Sequence, residues 1–314
     1  MKKFLPLLVL ATAIGCGSTD SGNSGGSGGA GGTGGIGGTG GTGGQVFSPD
    51  PPLTIGGERP AAVDIPTDYD PTVAHPLLMV LHGFGPFTGQ VEAAYLGLPS
   101  LVDEKGFVML VPDGTLNADG DRFWNATPAC CDPTDSVDDV GYLSGLIEEA
   151  KQTYNIDAKR VYLMGHSNGG FMSFTMACAA SELITAIVSL AGSTFENPAD
   201  CQPATLPVSV LAVHGTADDT VPYAGEPGVY PGAVETVERF ASAAGCDTSV
   251  PTDEGPVDLV PALEGAETDE VAYLTACDEG IDAGLCTING GGHIPFFSPD
   301  FADMTTDWLL RHER

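Results

Sequence analysis

Five short, almost unbroken apolar runs constrain the fold more than any other feature: Leu77–Leu81, Phe107–Val111, Val161–Met164, Ala186–Leu190 and Val208–Val213. A strand with one wet face alternates apolar and polar residues, whereas an unbroken run implies cover on both faces. Segments of helical period lie between the runs. In Val137–Tyr154, the residues Val137, Val140, Ser144, Ile147 and Tyr154 recur at helical spacing, and Asp138 and Asp139 fall where carboxylates complement a helix N-terminus. Asn168–Ala180, Ala233–Ala244 and Phe301–Leu310 are further helix candidates. The alternation predicts an α/β domain, a doubly wound, mostly parallel sheet with helices on both faces. Such sheets carry their sites beyond the carboxyl ends of the strands.

The N-terminal part is of a different kind. Met1–Lys3 is basic, Phe4–Ile14 is apolar, and Gly15-Cys16 follows. That order reads as an export signal too short to span a membrane. Ala13-Ile14-Gly15-Cys16 resembles a bacterial lipobox, with Ala13 where Leu is usual, so residues 1–16 are read as a lipoprotein-type signal ending at a lipidated Cys16. Plain secretion is the alternative. Residues 17–52 begin as Gly with Ser and Thr, without apolar residues enough to offset the chain entropy of folding, and are read as a tether. Its Gly-rich part would span roughly 30 Å. Residues 53–314 are then one catalytic domain. The expected location is extracellular or on the outer membrane surface, with attachment through the lipid alone, and the expected state is a monomer.

The formal charge of −31 argues against binding nucleic acid or an anionic membrane face and favours an uncharged substrate. Apart from Cys16, the cysteines are Cys130, Cys131, Cys178, Cys201, Cys246, Cys277 and Cys286. None has CxxC spacing, and export makes disulfides plausible. Cys178–Cys201 and Cys246–Cys277 are the expected bridges, and the odd count leaves at least one thiol free or intermolecular.

The apolar run Val161–Met164 leads directly into Gly165-His166-Ser167-Asn168-Gly169-Gly170. This is GxSxG between a strand and a helix, a sharp turn that projects a serine hydroxyl in a strained conformation. Ser167 is the candidate nucleophile. A serine hydroxyl needs a positioned base, itself oriented by an acid. For this turn the chain order should be Ser, then acid, then His. His293, in Asn289-Gly-Gly-Gly-His293-Ile294-Pro295, is the candidate base. His214 precedes the acid, and His312, in the terminal RHER, reads as a solvated tail residue. Val208–Val213 runs into His214-Gly-Thr-Ala-Asp218-Asp219, and Asp218 is preferred to Asp219 as the acid. The backbone N–H groups of Asn168 and of Phe84, in Leu81-His82-Gly83-Phe84, are the candidate oxyanion donors. His82 and Trp124 are the candidate substrate-binding side chains. His82 reads as a brace for that loop more than as a group that titrates in catalysis, and Trp124 could equally be core. Asp113, Asn117, Asp119 and Asp121 share residue types with a calcium loop, but the closing Glu is missing, so no metal is expected.

Together these segments resemble the polyhydroxybutyrate depolymerase and feruloyl esterase group of α/β-hydrolases. The matching words are Leu81-His82-Gly83, Pro112-Asp113-Gly114-Thr115, Trp124-Asn125-Ala126 with Cys130-Cys131, and Val137-Asp138-Asp139-Val140-Gly141-Tyr142. Gly165–Gly170, His214–Asp218 with Val221-Pro-Tyr223, and Gly291-Gly-His293 complete the set. The resemblance implies hydrolysis of carboxylic esters through an acyl-enzyme, without metal or organic cofactor. Ester candidates are polyhydroxyalkanoate-type polyesters and feruloyl or acetyl esters of plant polysaccharide. The chain departs from the group after His293, where Ile294-Pro295-Phe296-Phe297 replaces the usual Trp-Pro. The acidic stretch Pro251–Glu270 also looks longer or looser than the fold needs. The competing reading is a non-catalytic, tethered lipoprotein that binds glycans or a partner through a hydrolase-like domain.

Overall fold

The computed structural model describes residues 45–131, 137–201, 206–278 and 280–314. The export segment, Cys16 and the Gly-rich tract to residue 44 lie outside the described residues. Residues 45–314 form one compact unit. The domain starts earlier than composition suggests, because residues 45–52 are tied to it. The Gln45 amide donates to the Gln152 carbonyl (2.9 Å), and the Tyr154 hydroxyl donates to the Pro52 carbonyl (2.6 Å).

In chain order the strands are β1 (Thr54–Ile55), β2 (Ala61–Asp64), β3 (His75–Leu81), β4 (Val108–Val111), β5 (Thr115–Leu116), β6 (Arg122–Phe123) and β7 (Ile156–His166). They continue with β8 (Ala186–Leu190), β9 (Ser209–Gly215), β10 (Gly225–Glu226), β11 (Tyr230–Pro231), β12 (Thr252–Val257), β13 (Thr268–Tyr273) and β14 (Ala283–Ile288). The helices are α1 (Gly89–Tyr95), α2 (Leu101–Lys105), α3 (Asp139–Thr153), α4 (Asn168–Ala179), α5 (Ala233–Ala243) and α6 (Pro299–Leu310). One sheet runs in the order β1-β2-β4-β3-β7-β8-β9-β14-β13-β12. Its centre, β4 to β14, is parallel, and both edges are antiparallel.

The unbroken apolar runs follow from this position. Side chains alternate across a strand, so Leu77, Met79 and Leu81 enter one core and Leu78 and Val80 the other. The first core takes Leu143, Ile147, Phe171, Phe174, Val237 and Phe240 from α3, α4 and α5. The second takes Ala93, Leu101, Phe301 and Leu309 from α1, α2 and α6. With helices on both faces, no central position can be polar at low cost. Asp138 caps α3, accepting from the Gly141 amide (2.7 Å).

Two expectations need correction, and a third is extended. The stretch Pro251–Glu270 is not loose, since it holds β12 and the start of β13, paired as an antiparallel edge with a register shift between Asp253 and Gly255. Its outer strand is exposed, so it lacks the apolar run by which a strand is read. His312 is not a solvated tail residue. It is buried, with Nε2 on Asp282 Oδ1 (2.8 Å) and Nδ1 on the Trp308 carbonyl (2.8 Å). Cys178–Cys201 and Cys246–Cys277 are bonded as expected, but Cys130 and Cys131 also bond to each other, an unforeseen pairing that leaves Cys286 as the free, buried thiol among the described residues.

Candidate active site

The turn between β7 and α4 is tight enough to explain its glycines. A Cβ on Gly165 would lie 2.1 Å from the Gly169 carbonyl oxygen, and one on Gly169 would lie 2.1 Å from the Leu81 oxygen. Ser167 sits between them at φ 54° and ψ −118°, a conformation that L-residues rarely adopt. The strain puts its hydroxyl past the end of β7 while its amide stays bonded to the Leu190 carbonyl (2.8 Å).

His293 and Asp218 reach the same point from the ends of β14 and β9. Ser167 Oγ is 2.9 Å from His293 Nε2, and His293 Nδ1 is 2.8 Å from Asp218 Oδ2. The carboxylate can only accept, so Nδ1 carries the proton and Nε2 is free to accept from the serine hydroxyl. Asp218 is the buried member of the Asp218-Asp219 pair, and Asp219 is exposed. Burial pushes the Asp218 carboxyl up, but hydrogen bonds from His214, His293 and the Val221 amide outweigh it and hold it well below the usual carboxylate range. Asp218 Oδ1 also accepts from the Thr220 and Val221 amides (2.9 and 2.8 Å), which fixes its rotamer. His214 Nε2 lies 2.7 Å from the Val221 carbonyl and 3.3 Å from Asp218 Oδ2, so it braces the acid.

The loop after β3 lies against Ser167. A Cβ on Gly83 would stand 3.4 Å from Ser167 Cβ. Phe84 follows with its ring half exposed. Asn168 opens α4, where backbone N–H groups lack intrahelical acceptors and the helix dipole favours negative charge.

His82 and Trp124 do not line a substrate surface, since both are fully buried. His82 Nδ1 donates to the Gly83 carbonyl (2.7 Å), and Nε2 accepts from the Gly114 amide (2.8 Å). Burial lowers the pKa of His82, which suits this neutral tautomer. The Trp124 indole donates to the His82 carbonyl (3.0 Å). The Trp124 amide donates to Asn168 Oδ1 (2.6 Å), and Asn168 Nδ2 donates back to the Trp124 carbonyl (2.9 Å). Through its indole on one side and its backbone on the other, Trp124 therefore ties the loop after β3 to the turn at Ser167. One residue on, the Asn125 amide donates to Asp139 Oδ2 (2.7 Å), while Asp139 Oδ1 accepts from Arg59 Nη1 (2.6 Å).

Two residues went unread in the sequence. Glu92, on α1, is buried, accepts from the Gly83 amide at Oε2 (3.2 Å), and faces His166 Nδ1 with Oε1 (3.3 Å). His166 Nε2 meets the His293 carbonyl (3.0 Å). His166 was visible only as the variable residue of GxSxG, and a lone acidic residue on a short helix gives no sequence signal.

The parallel sheet with its strand–Ser–helix turn defines an α/β-hydrolase. A phospholipase/carboxylesterase family model matches residues 135–231. Feruloyl esterase B of Piromyces equi is 29% identical over 246 residues, covering 75% of this chain and 42% of that protein. The putative esterase NocK of Nocardia uniformis subsp. tsuyamanensis is 29% identical, covering 69% and 64%. Feruloyl esterase D of Neurospora crassa is 28% identical, covering 76% and 75%. The chain thus spans less than two thirds of the first two relatives. In fold it is similar to the acetyl xylan esterase from Aspergillus awamori, with a TM-score of 0.59, 15% identity, and coverage of 80% of this chain and 94% of that one. The chain thus has the α/β-hydrolase fold and is similar in sequence to feruloyl esterases.

Proposed function

We propose that the protein is a serine esterase that hydrolyses carboxylic esters of plant polysaccharide, feruloyl or acetyl, through an acyl-enzyme on Ser167. The observation that carries this reading is the continuous hydrogen-bond chain Ser167–His293–Asp218, starting from a strained residue at a helix N-terminus. His293 takes the serine proton as Oγ attacks the ester carbonyl. The backbone N–H groups of Phe84 and Asn168 receive the oxyanion. His293 then protonates the leaving alcohol, and water, activated by the same imidazole, releases the acid. Asp218 holds the tautomer and stabilises the transient imidazolium. The names of the relatives favour polysaccharide esters over hydroxyalkanoate polyester, and the acidic chain suits a substrate without negative charge. The enzyme works outside the cell, tethered through Cys16. The disulfides fit that compartment.

The test is hydrolysis of a short-chain nitrophenyl ester, methyl ferulate, acetylated xylan and a hydroxybutyrate oligomer by the full chain, each beside Ser167→Ala. Turnover of the first three that vanishes in the variant supports the reading. Preference for the oligomer moves the substrate to polyester, and no turnover by folded protein overturns the esterase assignment.

A further inference from the structure

The site contains a second histidine–carboxylate pair that the reaction as described does not use. Glu92 and His166 are both buried and lie between the two loops that flank Ser167. His166 Nε2 faces the backbone carbonyl of His293 at 3.0 Å. A carbonyl can only accept, so Nε2 carries a proton. His166 Nδ1 faces Glu92 Oε1 at 3.3 Å, and that oxygen has no hydrogen-bond partner among the described residues. The two side chains thus meet in the gap between the loop after β3 and the loop that carries His293.

We propose that Glu92 and His166 are a positioning pair that ties the loop after β3 to the backbone of His293. The inference rests on the esterase reading. Glu92 Oε2 receives the Gly83 amide (3.2 Å), one residue before the proposed oxyanion donor Phe84. His166 holds the carbonyl of the base itself, and the two imidazole rings lie 5.1 Å apart. Tyr95, also on α1, extends the clamp, with its ring 5.6 Å from that of His166 and its hydroxyl donating to the Pro295 carbonyl (2.8 Å).

The experiment compares the full-chain wild type with Glu92→Gln, Glu92→Ala and His166→Phe on a nitrophenyl ester, reading kcat and KM separately, with Ser167→Ala as blank and thermal unfolding as the folding control. Glu92→Ala and His166→Phe should lower kcat on the order of 10²-fold with little change in KM, as for misplaced reacting groups. Glutamine can accept from Gly83 with its carbonyl and donate to Nδ1 with its amide. Glu92→Gln should therefore recover most of the Ala loss in kcat. A folded Glu92→Gln whose kcat falls as far as that of His166→Phe overturns the proposal, even where the Ala variant does not fold. So does a folded His166→Phe with wild-type kcat. A wild type that turns over no better than Ser167→Ala is a different failure, which removes the esterase reading and the pair with it.

Discussion

Two histidine–aspartate pairs of almost the same geometry lie in different regions of the domain. At the carboxyl ends of the strands, His293 Nδ1 stands 2.8 Å from Asp218, and near the C-terminus, His312 Nε2 stands 2.8 Å from Asp282. Both carboxyls are held below the ordinary value. In each case burial works in the opposite direction and is outweighed, at Asp282 by His312 and Arg311. The difference is the second ring nitrogen. In His293 it meets a serine hydroxyl, which can give up a proton, whereas in His312 it meets the Trp308 carbonyl, which can only accept. The first arrangement can move a proton along the chain of groups. The second has both nitrogens held against acceptors and acts as a staple for the chain end. A His–Asp pair by itself therefore says little, and its chemistry is decided by what the far nitrogen faces.

Substitutions should separate the two pairs, and the largest effect is expected at the hydroxyl. Ser167→Ala should lower kcat on the order of 10⁶-fold while far-UV circular dichroism stays as in the wild type. Asp218→Asn should reduce kcat about 10⁴-fold through the wrong imidazole tautomer, and the exposed Asp219→Asn should change it less than about twofold. A larger loss at Asp219 would break the assignment of the acid. Trp124→Phe removes the indole bond to the His82 carbonyl and should lower kcat about tenfold with KM nearly constant, by loosening the loop. A rise in KM alone would restore Trp124 as a substrate contact.

The staple should respond in stability instead of rate. Asp282→Asn should leave kcat within about twofold and cost about 2 kcal/mol at neutral pH, read from urea unfolding. Asp282 has a depressed pKa in the folded state, so its stabilisation is complete above the ordinary value of 3.8 and is lost as pH falls through the folded value. The gap between wild type and variant should therefore narrow below about pH 4. A gap that widens in acid would contradict the sign of the shift.

The same contrast shows what could be read in advance. The central strands, the turn at Ser167 and the order Ser, Asp, His were legible, because burial on both faces and a sharp turn leave few choices of residue. Asp218 could be preferred to Asp219, but only burial and the bonds from His214 and His293 separate them in space. His312 was misread because a terminal, charged-looking tetrapeptide gives no sign that Asp282 folds over it. β12 was missed because an exposed edge strand needs no apolar run. His82 and Trp124 were found as part of the site, but their roles turned on burial. Glu92 could not be found at all, since its partners Gly83 and His166 are joined to it only by the fold.

The central claim is that Ser167 alone, activated by His293, attacks the acyl carbon. The most direct measurement is treatment of the full chain with excess fluorophosphonate, followed by mass spectrometry of the digested protein and assay of residual esterase activity. The account predicts one adduct, on the peptide carrying Ser167, formed in step with the loss of turnover and absent in Ser167→Ala. An adduct on another residue, or none on folded protein that still hydrolyses esters, would contradict it.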